Sequence, residues 1–153
     1  MKNNKNFISR IRFSLLKKMV SSLPKNSLRI WALKRLGFQI GQGVYLGKGL
    51  QIITESGFNP KLIIGNRVSI GPDVTVMLAS GSNNSKLRTK YPLQTGNVMI
   101  DNDVWVGTRV IVYPNVHIEE CSIITAGAVV NRSVASYTIV GGVPAREIKK
   151  IIL

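Results

Sequence analysis

A six-residue hydrophobic period constrains the fold of this chain more than any other feature. Aliphatic residues recur at every sixth position in three runs: Ile40, Leu46 and Ile52; Ile64, Ile70 and Val76; and Ile100, Val106, Val112, Ile118, Ile124 and Val130. The period matches neither an amphipathic helix nor a simple strand. It is typical of a parallel β-helix, in which three short strands make one coil of about 18 residues. We therefore predict an all-β solenoid over residues 38–143.

One long interruption divides this period. Val76 and Ile100 lie 24 positions apart, a multiple of six, so the repeat resumes in phase. We predict that residues 77–97, to within a residue or two, form a loop inserted between continuous coils. Functional residues concentrate in such loops, because a rigid scaffold positions them. The inserted loop is therefore our first candidate for a functional site.

The two ends of the chain are predicted to differ from the solenoid. Residues 1–37 read as a basic helical segment, with apolar residues at helical spacing over residues 7–23. Pro24 ends that pattern, and Ser27 is a candidate cap for a second helix over residues 28–36, with Leu28, Trp31 and Leu36 on its apolar side. Residues 144–153 are predicted to form a tail with a short helix.

Charge is distributed unevenly along the chain. The formal net charge is +14, and the first acidic residue, Glu55, follows eleven lysines and arginines. We expect the basic helices to close the end of the solenoid, to lie on an anionic membrane, or to do both. No nucleic-acid-binding signature accompanies the charge. Charges also break the first apolar stretch, so we expect a cytoplasmic protein.

Three segments resemble one family. "DVWVG", "TAGAVV" and "GVPAREIKK" resemble the carboxy-terminal half of hexapeptide-repeat acyltransferases, and are closest to the maltose, galactoside and surface-polysaccharide O-acetyltransferases. "LPKNSLRIWALKRLGFQIG" resembles the helical lead-in of the polysaccharide enzymes. The resemblance implies a left-handed parallel β-helix, a homotrimer, a saccharide or glycolipid acceptor, and acetyl-CoA bound in the groove between subunits.

The resemblance also implies contacts with acetyl-CoA. Thr108 and Ala126 match positions whose backbone meets the pantetheine arm. Because they are 18 residues apart, we expect them to stack one coil above the other. Asn131 and Arg132 match a Thr-Lys pair near the nucleotide end of the cofactor.

Further basic and aromatic residues complete the implied site. Lys149 matches a basic residue near the nucleotide, and Arg146 is close to it in sequence. Cations suit a phosphate-rich ligand. Trp105 matches an aromatic residue beside the acceptor pocket, to which Arg88 of the loop is also assigned.

The catalytic base is missing from its expected place. The family carries a histidine in this loop, shortly before "ELR", and alignment back from "KLR" puts that position at Gly81. Ser82, Asn83 and Asn84 can orient a hydroxyl but are not bases near neutral pH. Asp101, Asp103 or the substrate could supply the base instead.

The single histidine and the single cysteine limit the remaining chemistry. His117 lies half a coil from Thr108, so we expect it to face outward, away from the cofactor. One histidine and one cysteine, Cys121, cannot build a multi-histidine zinc site, so no metal is expected.

Three functions stay open at this point. The first is an acetyl-CoA-dependent O-acetyltransferase for a saccharide hydroxyl in surface-polysaccharide or lipid-linked glycan synthesis. The second is a catalytically impaired trimer that still binds CoA or sugar, as the glycine at position 81 suggests. The third is an amino-sugar N-acetyltransferase, because a free amine needs less help from a base.

Overall fold

The computed structural model describes residues 13–55, 59 and 61–152. Helix α1 covers residues 13–22, which confirms the described part of the first predicted helix; residues 7–12 lie outside the described residues. Helix α2 covers Asn26–Arg35 and confirms the second. The prediction that Ser27 caps α2 is wrong, because the helix begins at Asn26, two residues before the predicted start, and has no side-chain cap.

Short strands and the turns that join them make up most of the remaining described chain. In chain order they are β1 (Gln39–Ile40), β2 (Tyr45–Leu46), β3 (Gln51–Ile53), β4 (Leu62–Ile64), β5 (Ser69–Ile70), β6 (Thr75–Met77), β7 (Ala79–Ser80), β8 (Gln94–Thr95), β9 (Val98–Ile100), β10 (Trp105–Val106), β11 (Ile111–Val112), β12 (His117–Ile118), β13 (Ile123–Ile124), β14 (Val129–Val130), β15 (Thr138–Gly141) and β16 (Arg146–Lys150). The 3₁₀ helix η1 (Lys86–Thr89) lies between β7 and β8.

The strands form three larger sheets that the chain visits in rotation. Sheet A has the order β1-β4-β9-β12, sheet B has the order β16-β15-β13-β10-β5-β2, and sheet C has the order β14-β11-β6-β3. Neighbours within each sheet are parallel, except for β15 and β16. We call one passage through the sheets a coil. The prediction of short parallel strands after two amino-terminal helices is confirmed.

The six-residue period arises because one residue of each short strand points inward. In sheet B the inward row contains Leu46, Ile70, Val106 and Ile124, all fully buried. The corresponding rows of sheets A and C complete one continuous apolar core. Burial of stacked aliphatic side chains is the main stabilising contribution in such a coil.

The chain leaves the coils after Met77 and rejoins them at Val98. Between these points, β7 and β8 pair with each other as an antiparallel hairpin. Ile64 pairs with Ile100, 36 positions along, whereas Ile100 pairs with Ile118, 18 positions along. The segment therefore adds 18 residues without shifting the pairing register. Gly96 N donates to Leu78 O at 3.1 Å, which closes the base of the hairpin.

A buried arginine joins α2 to the first coil. Arg29 is only 4% exposed, and its guanidinium donates to Leu46 O at 2.7 and 3.0 Å and to the carbonyls of Leu23 and Pro24. The Asn26 side chain adds two bonds to the same coil, at Val44 O and Leu46 N. Because a buried cation is costly unless it is fully hydrogen-bonded, this geometry fixes α2 over the end of the core.

The predicted helix in the tail is wrong. Residues Arg146–Lys150 form β16, which pairs antiparallel with β15. The other edge of β15 pairs with β13, so its free backbone groups are available on the side that β16 covers. A five-residue exposed segment gains more from these hydrogen bonds than from an isolated helical turn.

Candidate functional site

A cavity of about 210 Å³ opens between the hairpin and the carboxy-terminal ends of β3 and β6 in sheet C. One wall comes from the end of β3 and the residues after it, and the other comes from the end of β6 and from the hairpin. The lining residues are Ile53, Thr54, Glu55, Met77, Ala79, Ser80, Gly81, Asn83 and Leu93. Glu55 is the only titratable side chain among them. The cavity thus combines apolar walls with a few polar groups, as small-molecule sites do.

Gly81 lies in this cavity, where the resemblance would place a histidine. A Cβ atom on residue 81 would lie 2.8 Å from Leu93 Cδ1 and 3.1 Å from Leu93 Cα. The Leu93 side chain therefore occupies the space into which a side chain at position 81 would project. A histidine at this position requires Leu93 to move.

The other polar residues of the loop mostly hold the hairpin together. Ser82 Oγ donates to Tyr91 O at 3.3 Å, and Arg88 Nη1 donates to Asn83 O at 3.1 Å. Asn83 lines the cavity, whereas Ser82, Asn84 and Arg88 do not. Of the three predicted loop candidates, the structure therefore places only Asn83 at the cavity.

The pair predicted to meet the pantetheine arm stacks as its spacing implies. Thr108 and Ala126 occupy the same corner between sheets B and C in successive coils, and Gly127 N donates to Thr108 O at 2.8 Å. Gly107 is held tightly beneath them, since a Cβ there would lie 2.6 Å from Ala126 N. This corner lies where strands of sheet C begin, whereas the cavity lies where strands of the same sheet end.

The predicted nucleotide-binding residues lie on two neighbouring sheets. Asn131 and Arg132 follow β14 at the exit of sheet C, and both are exposed. Arg146 and Lys149 are exposed on β16 of sheet B. The hydrogen bond from Ala145 N to Val129 O, at 2.8 Å, joins the tail to β14. Their contact with a cofactor stays a prediction.

Trp105 is not part of the cavity within one chain. It stands on the outer face of sheet B between Ser69 and Ile123, and it is 56% exposed. Tyr45 lies in the same outer row and is 52% exposed. The structure therefore separates Trp105 from Arg88 and from the loop, and its predicted place beside the acceptor stays a prediction.

The sequence did not reveal two polar pairs at the corner between sheets A and B. His117 Nε2 lies 2.8 Å from Asp101 Oδ2, with both side chains half-buried. Arg67 makes two hydrogen bonds to Asp103, and this bonding lowers the pKa of the Asp103 carboxyl. Both aspartates considered as a base already have partners, away from the cavity. Neither pair is formed by neighbours in sequence, so only the strand register brings them together.

Glu55 is the cavity residue that the sequence analysis missed. Ile53 pairs with Met77 at the carboxy-terminal ends of β3 and β6, so the residues that follow these two strands leave sheet C side by side. The six-residue period contained this information, because Ile52 and Val76 occupy equivalent positions in it, 24 residues apart. Glu55 and Ala79 each lie three residues further along, so the same period places Glu55 beside the start of the loop.

Two absences concern only the residues that the structure describes. No group of three or more His, Cys, Asp or Glu side chains in residues 13–55, 59 and 61–152 is arranged to hold a metal ion. Within the same part of the chain, no helix has the length and apolar character needed to cross a bilayer.

Comparison with known proteins decides the family. No protein-family model matches the chain. A galactoside O-acetyltransferase of Lactococcus lactis is 30% identical over 146 residues, which cover 92% of this chain and 68% of the relative. This chain belongs to the hexapeptide-repeat acetyltransferase family. The galactoside O-acetyltransferase of Escherichia coli is 28% identical over the same shares of the two chains. The chain is accordingly an acyltransferase by family.

A solved structure agrees with this family assignment at the level of the fold. A hexapeptide-repeat acetyltransferase from Vibrio cholerae superposes with a TM-score of 0.79 at 22% identity, covering 97% of this chain and 94% of that one. The same Vibrio cholerae protein has also been solved with acetyl-CoA, and that structure superposes with a TM-score of 0.65. At this level of identity the likeness bears on the fold alone.

Proposed function

We propose that this chain is an acetyl-CoA-dependent O-acetyltransferase that acts on a saccharide hydroxyl. The observation that carries this proposal is the position of the cavity relative to Thr108 and Ala126. The cavity lies where strands of sheet C end, and Thr108 and Ala126 lie at the corner just before strands of the same sheet begin. An elongated donor laid along sheet C would have its pantetheine arm beside that corner and its acyl group toward the cavity. The exposed cations Arg132, Arg146 and Lys149 near the last coil would meet its phosphates.

We further propose that the coils wind left-handed and that three chains assemble, as the family resemblance implies. In support, the outer row of sheet B exposes large apolar side chains at Tyr45 and Trp105. Covering them against a second copy would remove apolar area from water and would bring Trp105 near a neighbour's cavity. Light scattering on the purified protein tests the assembly, and a monomer at micromolar concentration would contradict it.

The amino-terminal helices support a place for the enzyme at the cytoplasmic face of an anionic membrane, in lipid-linked or surface glycan synthesis. Leu28 and Trp31 are 40% and 45% exposed on α2, and Lys25, Lys34 and Arg35 surround them. Arg35 lies 5.4 Å from the Trp31 ring. An exposed tryptophan can insert at the membrane interface while the lysines and arginines around it attract anionic lipid headgroups.

Vesicle sedimentation tests the membrane contact. We expect binding to vesicles that contain phosphatidylglycerol, weakening as salt rises, and reduced binding for Trp31→Ala together with Lys34→Gln. Pure phosphatidylcholine vesicles are the control. Equal binding to both vesicle types, or none to either, would contradict the proposal.

The acetyl transfer itself is tested by thiol release from acetyl-CoA. The wild-type protein is incubated with galactose, maltose, N-acetylglucosamine and glucosamine as acceptors. We expect turnover with an acceptor that offers only hydroxyls. Turnover with glucosamine alone, with the product acetylated on nitrogen, would instead establish the N-acetyltransferase, and failure to bind acetyl-CoA in calorimetry would contradict the proposal altogether.

Gly81 favours a second candidate, the catalytically impaired binding protein. Because Leu93 occupies the space a histidine needs, the matched test is the double variant Gly81→His with Leu93→Ala, compared with Leu93→Ala alone. Activity that appears only in the double variant would show that the natural chain has lost its base. Turnover by the wild type that the double variant does not improve would show that the natural chain uses a different base.

A further inference from the structure

We propose that Glu55 is the catalytic base of this enzyme and replaces the histidine that its loop lacks. The inference rests on the proposed acetyltransferase function and names the residue that would make the acceptor oxygen nucleophilic. Among the described residues that line the cavity, Glu55 is the only one with a side chain that can serve as a proton acceptor. A base must reach the reacting hydroxyl directly or through one water, so it has to lie in the cavity that holds the acceptor.

The two walls of the cavity explain why the base would come from Glu55. On the hairpin wall, Gly81 has no side chain and Leu93 fills the adjacent space. On the opposite wall, Thr54 follows β3 directly and Glu55 is the next residue along the chain. The proposed base therefore lies on the wall formed by the residues after β3 rather than on the hairpin, and the volume between the two walls is open to an acceptor.

The remaining polar residues of the cavity suit positioning rather than proton transfer. The Ser80 hydroxyl and the Asn83 amide can donate hydrogen bonds to an acceptor oxygen or to a developing oxyanion. Ile53, Met77 and Leu93 supply an apolar surface against which a sugar ring can pack. None of these side chains competes with Glu55 for the role of base.

The other acidic and imidazole groups considered for this role lie elsewhere. Asp103 accepts two hydrogen bonds from Arg67, and Asp101 is paired with His117 at 2.8 Å. Both pairs lie near the corner between sheets A and B, whereas the cavity lies at the carboxy-terminal ends of β3 and β6 in sheet C. His117 with Asp101 is the strongest competing base, because a carboxylate orients the imidazole.

The Glu55 carboxylate accepts the proton of the acceptor hydroxyl while that oxygen attacks the thioester carbonyl carbon of acetyl-CoA. Collapse of the tetrahedral intermediate breaks the carbon–sulfur bond, forms the acetyl ester and releases the CoA thiolate. The proton passes from the Glu55 carboxyl to that thiolate, so that CoA leaves as a thiol and the carboxylate is restored.

The test compares Glu55→Gln with two matched variants. Glu55→Gln keeps the shape of the side chain but cannot take a proton, Glu120→Gln changes an exposed acid outside the cavity, and His117→Asn removes the competing base. We expect Glu55→Gln to lower kcat by about 10²–10⁴-fold, with unchanged acetyl-CoA affinity in calorimetry. Glu120→Gln and His117→Asn should remain within about threefold of the wild type, since neither removes a group from the cavity.

Rescue by a conservative variant gives a second, independent readout. We expect partial recovery of kcat when Glu55→Asp replaces Glu55→Gln, because aspartate restores a carboxylate to the same wall of the cavity.

The possible failures can be told apart. Wild-type rates in Glu55→Gln with loss of activity in His117→Asn would overturn the role of Glu55 and leave the acetyltransferase function standing. A wild type that binds acetyl-CoA but transfers no acetyl group to any acceptor in the panel would overturn both.

Discussion

The coils between Val98 and Val134 and the hairpin of β7 and β8 keep their shapes by different means. In the coils, each short strand contributes a fully buried aliphatic residue, and every strand except the edge strands β12 and β14 pairs on both sides with strands of adjacent coils. In the hairpin, Leu87 and Tyr91 are more than half exposed, and the strands pair only with each other. The coils are held by a shared core, whereas the hairpin is held mainly by hydrogen bonds within it, such as the one from Ser82 Oγ to Tyr91 O.

This difference separates stability from chemistry. A residue in the coils cannot change without disturbing the coil above or below it, because interiors are close-packed. The hairpin strands pair only with each other, so a change in the hairpin leaves the pairing of the coils intact. The regular part of the chain therefore fixes where the site is, and the irregular part and the neighbouring wall determine what the site does.

The largest effect on stability should come from emptying the core of the coils. Ile118 is fully buried in sheet A, and Ile118→Ala should lower the free energy of unfolding by about 2–5 kcal/mol. Leu87→Ala, a truncation in the exposed hairpin, should change it by less than about 0.5 kcal/mol. Urea unfolding followed by circular dichroism measures both, and equal destabilisation would remove the distinction between the two regions.

A smaller contrast is expected between two glycines. A Cβ at Gly107 would lie 2.6 Å from the backbone nitrogen of Ala126, whereas the nearest atom to one at Gly81 is the flexible Leu93 Cδ1 at 2.8 Å. Backbone in a coil cannot yield as a side-chain tip can, so Gly107→Ala should cost about 1–3 kcal/mol. Gly81→Ala should cost clearly less in the same thermal or urea unfolding experiment. The reverse order would mean that the hairpin is as tightly packed as the coils.

The smallest effect should come from charges on the coil surface. The hydrogen bonds from Arg67 lower the pKa of Asp103, so this pair stabilises the fold above the carboxyl's unfolded pKa of about 3.9. That contribution is lost as pH falls through the lowered pKa of the folded state. Asp103→Asn should therefore lower the urea midpoint slightly at neutral pH and leave it equal to the wild type near about pH 2. A difference that persists at the acidic end would assign the effect to packing instead.

The sequence predicted those parts of the fold that repeat. The six-residue period identified the inward residues, and the stacking of Thr108 and Ala126 followed from one coil length. The tail was misassigned because β16 exists only through pairing with β15, which local sequence does not encode. Ser27 was a reasonable cap by residue type, but contacts between Asn26 and the first coil set the start of α2 instead.

The candidate site was also predictable only in part, because local sequence does not encode contacts between distant residues. The position of the loop and the missing histidine at Gly81 can be found by counting along the chain. Glu55, Leu93 and the pairing of His117 with Asp101 depend on which residues the register and the hairpin bring together. These contacts join residues far apart in sequence, so neither composition nor a local motif reports them.

Excision of the hairpin tests whether the coils hold the protein together while the cavity beside the hairpin performs the proposed transfer. Deleting residues 79–96 removes the 18 added residues and joins Leu78 to Asn97, near the point where Gly96 N already bonds Leu78 O at 3.1 Å. We expect the shortened chain to fold, to bind acetyl-CoA with wild-type affinity in calorimetry, and to show no acetyl transfer. Acetyl transfer at the wild-type rate by the shortened chain would show that the cavity beside the hairpin is not the site of transfer.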